Sequence, residues 1–190
     1  MVYLWVHLAG LALVPLFLQM LWLALAISQP LPFFWLELVL LVIVGLFPIV
    51  FLQWNKPFSP FNLLFFTTKI NSLTEDDRRL LTPLKSTRQR FLSAIASIVS
   101  LIILWGIYLY APLAREAASF LPQFRLFGLL IALIAFFLAN LFLQVSVSVF
   151  PLIISKPETL SSLEPYPADK IKQDFTVFGF PLTKILPPLT

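Results

Sequence analysis

The stretch KSTRQRFLSAIASIVSLIILWGIYLYAPL, residues 85–113, places Lys85, Arg88 and Arg90 directly before a run from Phe91 to Leu113 that holds no charged side chain. About 20 apolar residues suffice to cross the hydrocarbon core of a bilayer. The run therefore reads as a membrane-spanning helix entered from a basic side. Working outward, the same reading finds further apolar blocks at about 2–27, 33–53 and 126–150. Every Lys and Arg lies outside these blocks, and all but Arg115 and Arg125 fall in residues 54–90 and 155–190. Cytoplasmic segments retain Lys and Arg, so both termini and the 54–90 loop are expected on the cytoplasmic side, or the stromal side of a thylakoid.

The expected fold is all-α integral membrane, with four transmembrane helices in residues 1–154 and an extended, Pro-rich cytoplasmic tail over 155–190. Composition agrees. The chain is 59% apolar and 12% charged, against roughly 25% charge in a soluble domain. Its mean hydropathy is +0.93. There is no Cys, which excludes disulfides and thiol chemistry. The net charge of +4 sits beside the membrane and reads as topology signal and lipid-headgroup contact, not as a nucleic-acid surface.

Several local signals refine the path. Ala24-Leu25-Ala26 looks like a signal-peptidase site, but no basic segment precedes it and the apolar run is too long, so the first block reads as an uncleaved signal-anchor. Gln29-Pro30-Leu31-Pro32 turns the chain back into the second crossing. Pro15 and Pro48 are expected to kink their helices. In the loop, Phe58 to Phe66 is aromatic and broken by Pro60, which predicts an interfacial segment beside Trp54. Ser72-Leu73-Thr74-Glu75 fits a capping box ahead of a short helix to about Leu81. Thr82-Pro83 then opens a helix expected to run through Arg88 and Arg90 into the third crossing. In the tail, only Asp174 to Leu182 looks strand-like.

Few residues could carry chemistry. His7, the only histidine, lies near the start of the first crossing. It could donate an interhelical hydrogen bond, sit at the interface, or ligate a metal or the magnesium of a chlorophyll. Glu37, the only acid inside a predicted span, falls near the non-cytoplasmic surface, nearly a bilayer away from His7. It reads either as an interfacial, snorkelling carboxylate or as a proton-relay or partner-binding group. Gln19, Asn140 and Gln144 lie nearer mid-membrane, where amides point inward or at a partner and hydrogen-bond between helices. Ser93, Ala96, Ser97 and Ser100 form a small-residue stripe for close helix packing. In the tail, Phe175, Val177, Phe178, Phe180, Leu182, Ile185 and Leu186 are too apolar for a free linker. They form a candidate docking peptide for a partner, or fold back onto the loop of the same chain.

Tyr3-Leu4-Trp5-Val6-His7-Leu8-Ala9-Gly10, Leu73-Thr74-Glu75-Asp76-Asp77-Arg78-Arg79, Asn140-Leu141-Phe142-Leu143-Gln144-Val145 and Glu164-Pro165-Tyr166-Pro167 with Gln173-Asp174-Phe175-Thr176 together resemble a cyanobacterial family, the low-complexity tail membrane proteins. The resemblance covers most of the chain. It implies a thylakoid or plasma membrane location in a photosynthetic bacterium, and it carries over no functional residues. The family pattern also predicts a long low-complexity segment after Pro187-Pro188.

No catalytic, nucleotide or metal signature is present in the sequence, so an enzyme is not expected. The leading expectation is an accessory or assembly factor that docks onto a larger membrane complex such as a photosystem, with membrane lipids as further partners. Chlorophyll, carotenoid or lipid could sit at that interface. The alternative is a small transporter, or a transporter subunit, that uses Glu37 and the mid-membrane amides.

Overall fold

The computed structural model describes residues 2–63 and 66–182. Among these, four helical segments are long and apolar enough to cross a membrane: Val2–Ala26, Phe34–Asn55, Thr87–Ala114 and Arg125–Ile154. The expected third crossing thus begins earlier than Phe91, and the fourth extends past Phe150.

Two of the spans are interrupted where proline removes a backbone donor. The first consists of α1 (Val2–Ala9), a 3-10 turn Gly10–Leu13, and α2 (Val14–Ala26), with Pro15 in the first turn of α2. The second breaks at Leu46 between α3 (Phe34–Gly45) and α4 (Phe47–Asn55), two residues before Pro48. Gly45 lies at this break for a packing reason: a Cβ there would come within 2.6 Å of the Phe136 ring.

The chain divides into two compact units. The hairpin unit comprises Leu11–Val50 and Ile95–Leu143. Its core joins Leu21, Leu25, Leu41, Leu104 and Leu129 to Ala132, Ala135 and Phe136. The small residues let neighbouring backbones approach, which is how helices gain contact where no hydrophobic drive separates protein from lipid.

The loop-bearing unit takes the chain up to Gly10, Phe51–Ala94, and the chain from Gln144 onward. A small sheet of order β1-β2-β3 lies within it. Strand β1 (Asn62–Leu63) pairs antiparallel with β2 (Phe66–Thr68), and β2 pairs in parallel with β3 (Phe180–Leu182). Phe66 is the register partner of Phe180, and Thr68 of Leu182. Leu4, Phe61, Leu81, Leu84, Leu152, Ile171 and Phe175 close the core.

Several local expectations are corrected here. The capping box of α5 (Glu75–Arg79) is closed by Thr74 and Asp77, two residues later than expected, because Thr74 is the residue held in extended backbone and Asp77 falls at N3. The helix expected to run on from Pro83 stops as a 3-10 turn, Thr82–Lys85. Ser86 is extended, with ψ 154°, and its hydroxyl accepts from the Gln89 amide to start α6 (Thr87–Tyr110) afresh.

The described part of the tail, residues 155–182, is not left extended. After α7 (Arg125–Ile154), short helices α8 (Pro157–Ser161) and α9 (Ile171–Asp174) bring Leu160, Ile171 and Phe175 into the core of the loop-bearing unit. The prolines break regular structure but do not prevent burial, because the apolar residues between them have a core to enter. In the segment from Phe58, Phe61 is buried and Phe58 forms a bridge with Thr176.

Candidate functional site

The most polar cluster inside the spans forms around Glu37 in the hairpin unit. The carboxylate is 1% exposed. Nε of Arg125 donates to Oε1 at 2.7 Å and Nη2 donates to Oε2. The Tyr108 hydroxyl donates to Oε2 at 2.8 Å, and the Leu31 amide donates to Oε1 at 2.8 Å. The remaining guanidinium nitrogen, Nη1, donates to the carbonyls of Leu25 (2.8 Å) and Ile27 (3.1 Å) at the C-terminal end of α2. One ion pair therefore links all four spans. Carbonyls at a helix C-terminus lack intrahelical donors and favour a cation, so Arg125 meets two needs at once.

A buried carboxylate with these partners does not fit the interfacial, snorkelling reading of Glu37. Its partner follows from place along the spans: Glu37 and Arg125 lie near the first residues of the second and fourth spans. Tyr108, near the end of the third, falls at that level too. Arg125 reads in sequence as a turn cation, yet it is the first residue of α7 and is buried.

The mid-membrane amides separate in role. In the loop-bearing unit, Ser93 Oγ donates to Gln144 Oε1 at 2.8 Å, while Gln144 Nε2 donates to the Ser93 carbonyl at 3.1 Å. Ser148 donates to the Gln144 carbonyl, and Gln53 Nε2 donates to Ser148. Gln144 is therefore an interhelical group, as expected. Asn140 is buried, but its Nδ2 donates to Phe136 of its own helix at 2.8 Å, so it does not bridge helices through that group. Gln19 does not point inward: it is exposed on α2.

His7 lies in the loop-bearing unit with Nε2 2.9 Å from the Pro60 carbonyl oxygen. A carbonyl only accepts, so Nε2 carries the proton and cannot offer a lone pair there. This does not fit a chlorophyll-magnesium ligand through Nε2. Ser146 Oγ donates to the His7 carbonyl at 2.9 Å, which fixes the same turn of α1. Among the described residues no group of three or more His, Cys, Asp or Glu side chains is placed to hold a metal ion.

The tail residues also diverge. Phe175 is fully buried, with its ring edge-on to Tyr166 at 5.1 Å, and Val177 packs on the same core. Phe178, Phe180 and Leu182 stay exposed. Ile185 and Leu186 lie outside the described residues. Beside Phe175, Asp174 accepts from the Tyr166 hydroxyl at 2.7 Å and from Lys85 Nζ at 3.1 Å. Lys85 also donates to the Asn55 carbonyl at the end of α4. The hydrogen bonds from Tyr166 and then Lys85 hold the Asp174 carboxyl below its ordinary range. Burial, followed by the bond to Asp174, raises the Tyr166 phenol to about 12.

Four apolar spans, with the acid among them neutralised by a buried partner, define a multi-pass membrane protein. The chain belongs to the low-complexity tail membrane protein-like family, whose model matches residues 2–187. No curated protein and no solved structure matches it.

Proposed function

We propose that this chain is a non-enzymatic accessory or assembly factor that docks, within the bilayer, onto a larger membrane complex. The observation that carries this reading is the exposure of Gln19. It lies well inside the first span, flanked by exposed Leu16 and Met20. Lipid tails cannot hydrogen-bond its amide, whereas a neighbouring protein helix can. The identity of the complex as a photosynthetic one, in a thylakoid or plasma membrane, rests on the family resemblance. The cytoplasmic or stromal placement of the 54–90 loop rests on its Lys and Arg content.

The transporter reading loses support from Glu37, whose oxygens are engaged by Arg125, Tyr108 and Leu31. Two cavities in the hairpin unit, one lined by Val14, Ser100 and Asn140 and one by Ser28, Tyr108 and Arg125, hold about 20 Å³ each, room for a single water.

A photocrosslinking amino acid in place of Gln19, introduced in the source membranes, tests the proposal. Covalent capture of a protein is expected. Capture of lipid alone would count against docking through this face. In vesicles, Glu37→Gln is expected to leave ion or solute flux unchanged, and flux that requires Glu37 would favour a transporter.

A further inference from the structure

Outside the spans, the largest exposed apolar side chains of the loop-bearing unit gather on the small sheet. Phe180 is 72% exposed, its register partner Phe66 is 45% exposed, and Phe178 and Leu182 flank them. Register partners project to the same face of a sheet, so Phe66 and Phe180 form a single aromatic ridge.

The position of this ridge is fixed at both ends. Thr176 donates its amide to the Pro57 carbonyl at 3.0 Å and its hydroxyl to the Lys56 carbonyl at 2.6 Å. Pro57 and Lys56 directly follow Asn55, the last residue of the second span. The strip 176–182 therefore starts where that span leaves the hydrocarbon. At its other end the Lys69 amide donates to the Leu182 carbonyl at 2.9 Å. Lys56 and Lys69 are both exposed, and neither residues 56–69 nor 175–182 contain an acid.

We propose that this ridge, Phe66 and Phe180 with Phe178 and Leu182, inserts into the headgroup region of the leaflet from which the second span emerges, with Lys56 and Lys69 against anionic lipid phosphates. Aromatic rings favour this zone, and basic residues are attracted to an anionic surface. The tail would then act as a second membrane contact, separate from the docking face around Gln19.

Nitroxide labels on Phe180→Cys and, as a control, on the exposed Ser162→Cys test this in the full Cys-free chain. The protein is reconstituted alone in vesicles of zwitterionic lipid with or without an anionic fraction. The label at 180 is expected to be relaxed more by oxygen than by a water-soluble nickel complex, and the label at 162 the reverse. Lys56→Gln with Lys69→Gln should abolish the difference between the two lipid mixtures while the spans stay folded. A label at 180 as water-accessible as that at 162 in both mixtures would overturn the proposal. So would aqueous accessibility in vesicles combined with protection in native membranes, since a protein would then be the cover.

Discussion

Arg125 and Glu37 lie 88 residues apart in sequence and meet as a buried, two-pronged ion pair. A guanidinium matches a carboxylate in plane and spacing, and its leftover donors reach the Leu25 and Ile27 carbonyls. The pair neutralises two charges that neither span could carry alone in lipid.

Removing one partner leaves the other buried and uncompensated. Arg125→Leu is expected to lose about 3–5 kcal/mol, and the double substitution Glu37→Leu with Arg125→Leu to lose less than Arg125→Leu alone. Unfolding in mixed micelles checks this through a double-mutant cycle. Additive losses would mean that the two side chains act independently.

Two glycines should respond in opposite ways. A Cβ at Gly128 would lie 2.6 Å from the Ala24 carbonyl oxygen and 3.0 Å from Ile27 Cβ, whereas nothing lies within 4 Å at Gly106. Gly128→Ala should therefore destabilise by about 1–3 kcal/mol. Gly106→Ala should be neutral or stabilise by up to about 1 kcal/mol through helix propensity. The same micelle assay decides, and equal effects would contradict the packing.

Gln144→Leu removes the exchange of hydrogen bonds with Ser93 and leaves the Ser93 carbonyl without that donor. A loss of about 1–2 kcal/mol is expected, the upper range for interhelical hydrogen bonds in membranes. Gln19→Leu, on the exposed face, should leave the stability of the isolated chain unchanged.

Attachment of the tail should depend on pH at both extremes. The Asp174 carboxyl is held below its ordinary value of 3.8, so its contribution is present above that value and is lost as pH falls through the lower folded value. The Tyr166 phenol is raised from 10 to about 12, so its contribution is complete below 10 and lost as pH rises toward 12. The protection of the amides of residues 160–176, measured as exchange relative to the intrinsic rate at each pH, should stay level between these limits. Asp174→Asn should speed exchange at neutral pH and remove the acid limb.

The four spans were legible because charge exclusion from lipid acts residue by residue and needs no partner. Gln144 was legible for the same reason: a buried amide must bond, and the facing span offers Ser93. The Glu37 site was half legible. Its depth followed from the topology, but its pairing required placing Arg125 and Tyr108 at that same depth, and Arg125 borders its apolar block closely enough to pass for a turn residue. The fold of the tail was not legible. Proline density argued for an extended chain, whereas burial of Ile171 and Phe175 depends on a core assembled from Leu4, Leu81 and Leu152, which no local pattern reveals.

The proposed function makes this chain part of a larger membrane assembly. Mild-detergent native fractionation of source membranes carrying the tagged full chain tests it most directly, with co-migrating subunits and pigments identified in each fraction. The chain is expected to migrate with a complex much larger than itself, and Gln19→Leu to shift it toward the free fraction. Migration only as a free 21.6 kDa chain, unaffected by Gln19→Leu, would contradict it.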